Sequence, residues 1–94
     1  MIEENTYFDG GVKSLAFTQD GAKSSVGVMA AGEYTFGTGA AEKMTVVKGA
    51  LTVKLPGSEE WQTFSAGQSF NVPGDSSFDL QVDVATAYLC EYLA

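Results

Sequence analysis

Residues 69–82 read Ser69-Phe70-Asn71-Val72-Pro73-Gly74-Asp75-Ser76-Ser77-Phe78-Asp79-Leu80-Gln81-Val82. A short apolar run stops at Pro73-Gly74, and strict apolar–polar alternation restarts at Ser77. Proline presets φ and glycine tolerates left-handed backbone, so residues 73–76 form a tight turn between two strands. Successive side chains on a strand point to opposite faces. Phe78, Leu80 and Val82 therefore point into a core, and Asp79, Gln81 and Asp83 point to water. Phe78 is the first inward position after the turn, and its phenyl ring raises the question of what that interior is for.

The same punctuation recurs along the chain. Eleven glycines separate short runs rich in β-branched and aromatic residues. Strands are expected near 12–17, 25–30, 33–36, 42–48, 50–55, 60–64, 69–72, 77–83 and 86–93. No window shows sustained helical periodicity, and many short strands with frequent Gly, Pro and Asp breaks indicate an all-β sandwich or barrel. Gly49, between two apolar runs, suits a hairpin needing positive φ. Pro56-Gly57 suits a turn. In the run 42–48, Glu42, Met44 and Val46 share one face. If Met44 and Val46 line the interior, Glu42 points into it too, and a carboxylate there must be solvated or hydrogen-bonded.

Ninety-four residues make one domain, expected to span 1–94. The formal net charge is −7, from twelve acidic residues and five lysines, with no arginine and no histidine. Such a surface repels nucleic acid and an acidic membrane leaflet. A single small anion could still bind where backbone N–H groups or one lysine create a local positive spot. Cys90 is the only cysteine. It makes no intrachain disulfide, and without a histidine to activate it, it reads as a small buried hydrophobe. The acidic start of the chain does not look like a signal peptide, and no run approaches the length of a membrane span. A cytoplasmic protein is expected.

Two spacings resemble the cupin superfamily of small jelly-roll β-barrels. Its first motif runs Gly, five residues, His-x-His, three or four residues, Glu, six residues, Gly. Here Gly32, Glu42 and Gly49 match, while the histidine places fall near Thr35 or Phe36 and near Gly37 or Thr38. Its second motif runs Gly, five residues, Pro-x-Gly, two residues, His, three residues, Asn. Here Gly67, Pro73 and the following turn match, and Phe78 and Val82 stand at the His and Asn places. The scaffold is kept and every metal-binding histidine is missing. Over essentially the whole chain, runs such as "NTYFDGGVKSL", "EKMTVVKGALTVKLPG" and "AGQSFNVPG" resemble the pyrimidine/purine nucleoside phosphorylase family, single-domain bacterial cupins. That resemblance implies phosphorolysis of diverse nucleosides to a free base and ribose 1-phosphate. Inorganic phosphate would be the co-substrate, with no metal or other cofactor.

Such chemistry needs an anion pocket, groups for the ribose hydroxyls and help for the departing base. Glu42 is the candidate catalytic residue. It could bind ribose hydroxyls, stabilise positive charge on the sugar, or donate a proton to the base; the bland alternative is a solvated strand end. Tyr34, Phe36, Met44 and Phe78 are candidate walls for stacking on a base, and equally plain core packing. Two loops are candidate phosphate nests. One is Gly37–Ala41 with the Thr38 hydroxyl and nearby Lys43. The other is Pro73–Ser77 with Ser76 and Ser77, although Asp75 would repel an anion there. Lys48 shares the parity of Glu42 and could reach the cavity mouth. Asn71 and Gln81 flank the turn and could touch a base edge. Trp61 is expected over a barrel end or at a subunit contact. The competing reading is a non-catalytic cupin that binds a small metabolite. A homodimer is expected, because small jelly rolls expose sheet edges.

Overall fold

The computed structural model describes residues 2–93. The outermost residues of the expected domain, 1 and 94, lie outside them. Among the described residues the strands are β1 Glu3–Tyr7, β2 Val12–Gln19, β3 Ala22–Met29, β4 Gly32–Gly37, β5 Ala41–Lys48, β6 Ala50–Lys54, β7 Trp61–Ser65, β8 Ser69–Val72, β9 Ser77–Val82 and β10 Thr86–Leu93. They form a six-stranded sheet, β1-β2-β3-β10-β5-β8, and a four-stranded sheet, β4-β9-β6-β7. All pairings are antiparallel. No helix among the described residues is long and apolar enough to cross a membrane.

The chain is an all-β fold with a jelly-roll path. From β3 onward every connection changes sheet except β6 to β7, which stays within one. That β6–β7 turn uses Pro56 and Gly57 as expected. Gly57 has φ 77°, and the Ser58 N–H donates to the Leu55 carbonyl at 3.1 Å. Gly49 does not close a hairpin. Its neighbours β5 and β6 belong to different sheets, so Gly49 (φ 103°) makes a corner between them. Residues 73–76 do the same between β8 and β9.

Strand parity sets the core. Phe78, Leu80 and Val82 of β9 are buried, and Gln81 is exposed. Phe70 and Val72 of β8 are buried while Asn71 is exposed. Leu51, Val53, Met44, Val46 and Met29 complete the interior between the sheets. Each such side chain contributes about 1.5–3 kcal/mol through burial. β1 had no apolar alternation to announce it. Its side chains are mostly exposed, and it exists by backbone pairing to the edge of β2.

Candidate active site

The interior is not completely filled. A cavity of about 130 Å³ lies between the sheets. Its floor is made of buried residues: Ser14, Ser25, Met29, Met44, Phe78, Tyr88 and Cys90. Its rim carries the more exposed Tyr7, Phe36, Gly37, Glu42 and Tyr92. One wall is polar and belongs to the six-stranded sheet. There β10 presents Tyr88, Cys90 and Tyr92 from one face, with Ser25 and Glu42 on the strands to either side. The opposite wall is aromatic. Phe36 and Phe78 stack at 6.0 Å between centroids, and Tyr7 meets the edge of Phe36 at 5.9 Å.

Glu42 is the only carboxyl among the lining residues. It is half-buried, and desolvation raises its pKa above the ordinary carboxylate value. The Cys90 thiol donates to Glu42 Oε1 at 3.4 Å and partly counters that rise. Burial and the neighbouring carboxyl push the Cys90 thiol up to about 12, so it stays protonated and remains a donor. Burial likewise raises the hydroxyls of Tyr88 and Tyr92. Ser25 Oγ and the Tyr92 hydroxyl lie 3.4 Å apart. The wall thus offers neutral hydroxyl groups around one carboxyl.

Of the residues singled out from sequence, Phe36, Glu42, Met44 and Phe78 meet in this cavity. The others stand elsewhere. Tyr34 is core, its hydroxyl donating to the Ala30 carbonyl at 2.7 Å. Asn71 and Ser77 are exposed away from the cavity. Gln81 lies in a shallow outer depression with Trp61, Glu33 and Asp79, whose carboxylates disfavour an anion. Lys48 had the right parity by simple counting. A β-bulge intervenes: Tyr88 faces Val46, but Ala87 faces Lys48, so Lys48 leaves the inner face. The two glycine- and serine-rich loops bind one another through several of their donors. The Thr38 N–H donates to the Ser76 carbonyl at 2.8 Å, Asp75 N–H to Gly39 at 3.0 Å, and Ser76 N–H to the Thr38 hydroxyl at 3.0 Å. The Thr38 hydroxyl itself donates to the Pro73 carbonyl at 2.7 Å, and Ser76 Oγ to Gly74 at 3.0 Å. These groups lock the turn that opens β9.

The sequence profile described as pyrimidine/purine nucleoside phosphorylase matches residues 2–92. The chain belongs to the pyrimidine/purine nucleoside phosphorylase family. It is 76% identical to a Vibrio atlanticus protein of that name, over 99% of this chain and 100% of the relative. It is 68% identical to one from Vibrio cholerae, over 99% and 98% of the two chains. A crystal structure of a Vibrio parahaemolyticus protein of unknown function matches with TM-score 0.96 and 67% identity, covering 99% of each chain. An RmlC-like cupin from Shewanella frigidimarina matches with TM-score 0.76 at 19% identity, over 97% of this chain and 82% of the other. The fold of this family member is therefore cupin-like.

Metal-binding cupins hold the ion on histidines. In this phosphorylase-family chain Phe36 and Phe78 turn phenyl rings into the cavity instead. Among the described residues no three His, Cys, Asp or Glu side chains converge. A lone carboxyl beside a protonated thiol does not fit a metal centre of that kind. The sequence reading did not single out the polar wall. Its signal was present in the β10 parity of Tyr88, Cys90 and Tyr92, and in the small inward residues Ser14, Ser25 and Gly27. A Cβ on Gly27 would fall 2.5 Å from the Tyr88 hydroxyl, so glycine makes the space that this ring occupies.

Proposed function

We propose that this chain catalyses phosphorolysis of purine and pyrimidine nucleosides, releasing the free base and ribose 1-phosphate without a metal. The observation that carries the reading is the single half-buried carboxyl of Glu42 between a hydroxyl-rich wall and an aromatic wall. A phosphate oxygen bonds to the anomeric carbon as the carbon–nitrogen bond breaks, and that bond's electron pair leaves with the base. Glu42, its pKa raised, gives the base a proton and is reprotonated from solvent, while the hydrogen phosphate gives up its own proton to water as its oxygen bonds to the sugar. The ribose hydroxyls face Ser25 and Tyr92. Ligand pockets that enclose a whole drug-sized molecule run to roughly 300–1,000 Å³. A cavity of about 130 Å³ encloses the sugar and leaves the base at the rim against Phe36 and Tyr7. Stacking is available to every base, which suits broad tolerance.

The test is purified protein with uridine or adenosine, with and without phosphate, in chelator. Base should appear only with phosphate, together with ribose 1-phosphate. Glu42→Gln should lower turnover by roughly 10²–10⁴-fold. Absence of phosphate-dependent base release overturns the reading; stabilisation by nucleoside without turnover would mark a binding module instead.

We also propose that two chains associate through the outer face of the six-stranded sheet. Leu15, Val26 and Val28 are about half exposed there, at 49%, 45% and 51%. Glu4 and Lys13 border the same depression, so a two-fold axis sets each lysine against the partner's acid.

A further inference from the structure

The phosphate site is the element of the proposed reaction that the loops leave unassigned. The Thr38, Asp75 and Ser76 N–H groups are engaged within the protein, and the chain has no arginine. The cation must be a lysine, and strand geometry separates the five. Lys13 sits opposite Val28, on the outer face. Lys43 sits opposite Glu91 and is exposed, and Lys48 is turned outward by the bulge. Lys54 pairs with Asp79 and Trp61 in the other sheet, at a position alternating with buried Val53.

Lys23 differs. It is exposed, as Lys43 is, and does not itself line the cavity, but it shares the parity of Ser25, which does. The paired register ends with Cys90 opposite Ser25 and Glu91 opposite Ser24, and one further step along both strands brings Tyr92 beside Lys23. On its other side Tyr92 pairs with Glu42. Exposed Lys23 thus stands next to Tyr92 and Glu42 of the rim in one cross-strand row. Strands are spaced by about 4.8 Å, so roughly 10 Å of backbone separates the lysine from the acid. The Lys23 Nζ lies 5.4 Å from the centroid of the Tyr92 ring, a cation–π contact that draws the ammonium toward the cavity edge.

We infer that Lys23 is the phosphate-binding cation of this site, holding the co-substrate over Tyr92 on the side of the sugar away from Glu42. The inference rests on the phosphorylase reading. A lysine ammonium is a compact point charge with three donors, sufficient for a small oxyanion. Placing the anion about 10 Å from the acid leaves space for a ribose between them. Nucleophile and proton donor then flank the anomeric carbon.

The experiment is steady-state phosphorolysis with inorganic phosphate varied, comparing wild type with Lys23→Gln, Lys23→Arg and the outer-face control Lys43→Gln. Losing a charge-assisted hydrogen bond should raise the phosphate KM of Lys23→Gln roughly tenfold or more. The nucleoside KM and Tm should hardly move, Lys23→Arg should restore most of the affinity, and Lys43→Gln should resemble wild type. An unchanged phosphate KM in Lys23→Gln, or an equal rise in Lys43→Gln, overturns the assignment. Phosphate binding by 31P NMR, with no nucleoside present, separates this from failure of the phosphorylase reading. Weaker binding in Lys23→Gln than in wild type supports the anion site even if no base is released. Equal binding in both, or none in either, overturns it.

Discussion

Cys90 shows how one side chain can matter without reacting. Its thiol is buried and protonated, and it donates to Glu42. Burial raises the Glu42 pKa, and the thiol pulls it partly back. Cys90→Ala should therefore move the Glu42 pKa further up. If Glu42 acts as an acid, activity falls as pH rises through that pKa. The alkaline limb of kcat/KM should then shift to higher pH in Cys90→Ala; an unmoved limb would detach the thiol from the acid. The stability sign runs the same way. A raised folded pKa means that ionised Glu42 costs stability above that pKa, and the cost vanishes below the ordinary carboxyl pKa. Glu42→Gln should thus keep or slightly raise Tm at neutral pH. Phe78 answers the question posed by its position: it is buried behind Phe36 and backs the aromatic wall.

At the scale of elements, the corner at Gly49 holds β5, β6 and β10 together. Thr86 is fully buried at the start of β10. Its hydroxyl donates toward the carbonyls of Val84 at 2.9 Å and Ala50 at 3.1 Å, and accepts from the Ala50 N–H at 3.2 Å. Thr86→Val keeps the shape and removes those bonds, leaving the part-buried backbone groups of Ala50 without this partner. The expected loss is about 1–3 kcal/mol in chemical denaturation, with the cavity's phosphate and nucleoside KM values little changed. A loss below about 0.5 kcal/mol would show that the corner does not depend on the hydroxyl. The reason Gly49 read as a hairpin is local: positive φ between two strands looks alike whether the strands pair or part. Which partner each strand takes depends on residues 36 positions away.

For the whole molecule, charge and apolar surface pull in opposite directions. A net charge of −7 on each chain opposes association, while Leu15, Val26 and Val28 favour it on one sheet face. Light scattering should find a dimer that tightens as added salt screens the repulsion. The paired change Val26→Lys and Val28→Lys should give a monomer of unchanged fold by circular dichroism. A wild-type monomer at micromolar concentration, or a dimer that survives both lysines, would remove this face from the interface.

Strand positions from residue 12 onward, the inward parity of Phe78, Leu80 and Val82, and the direction of Glu42 were legible in the chain. Each depends on period-two alternation and turn chemistry, which act over a few residues. A third of the cavity lining was legible for the same reason, through Phe36, Glu42, Met44 and Phe78. Tertiary structure supplied what is non-local. β1 formed because β2 offered it a free edge. The bulge at Ala87–Tyr88 turned Lys48 outward, a one-residue change in register that no count along β5 could contain. The loop N–H groups found partners in each other across 35 residues or more. Lys23, which nothing in the sequence marked, stands beside the rim because β3 pairs with β10, and β10 with β5. Alternation states which way a side chain points; only the pairing of distant strands states what stands beside it.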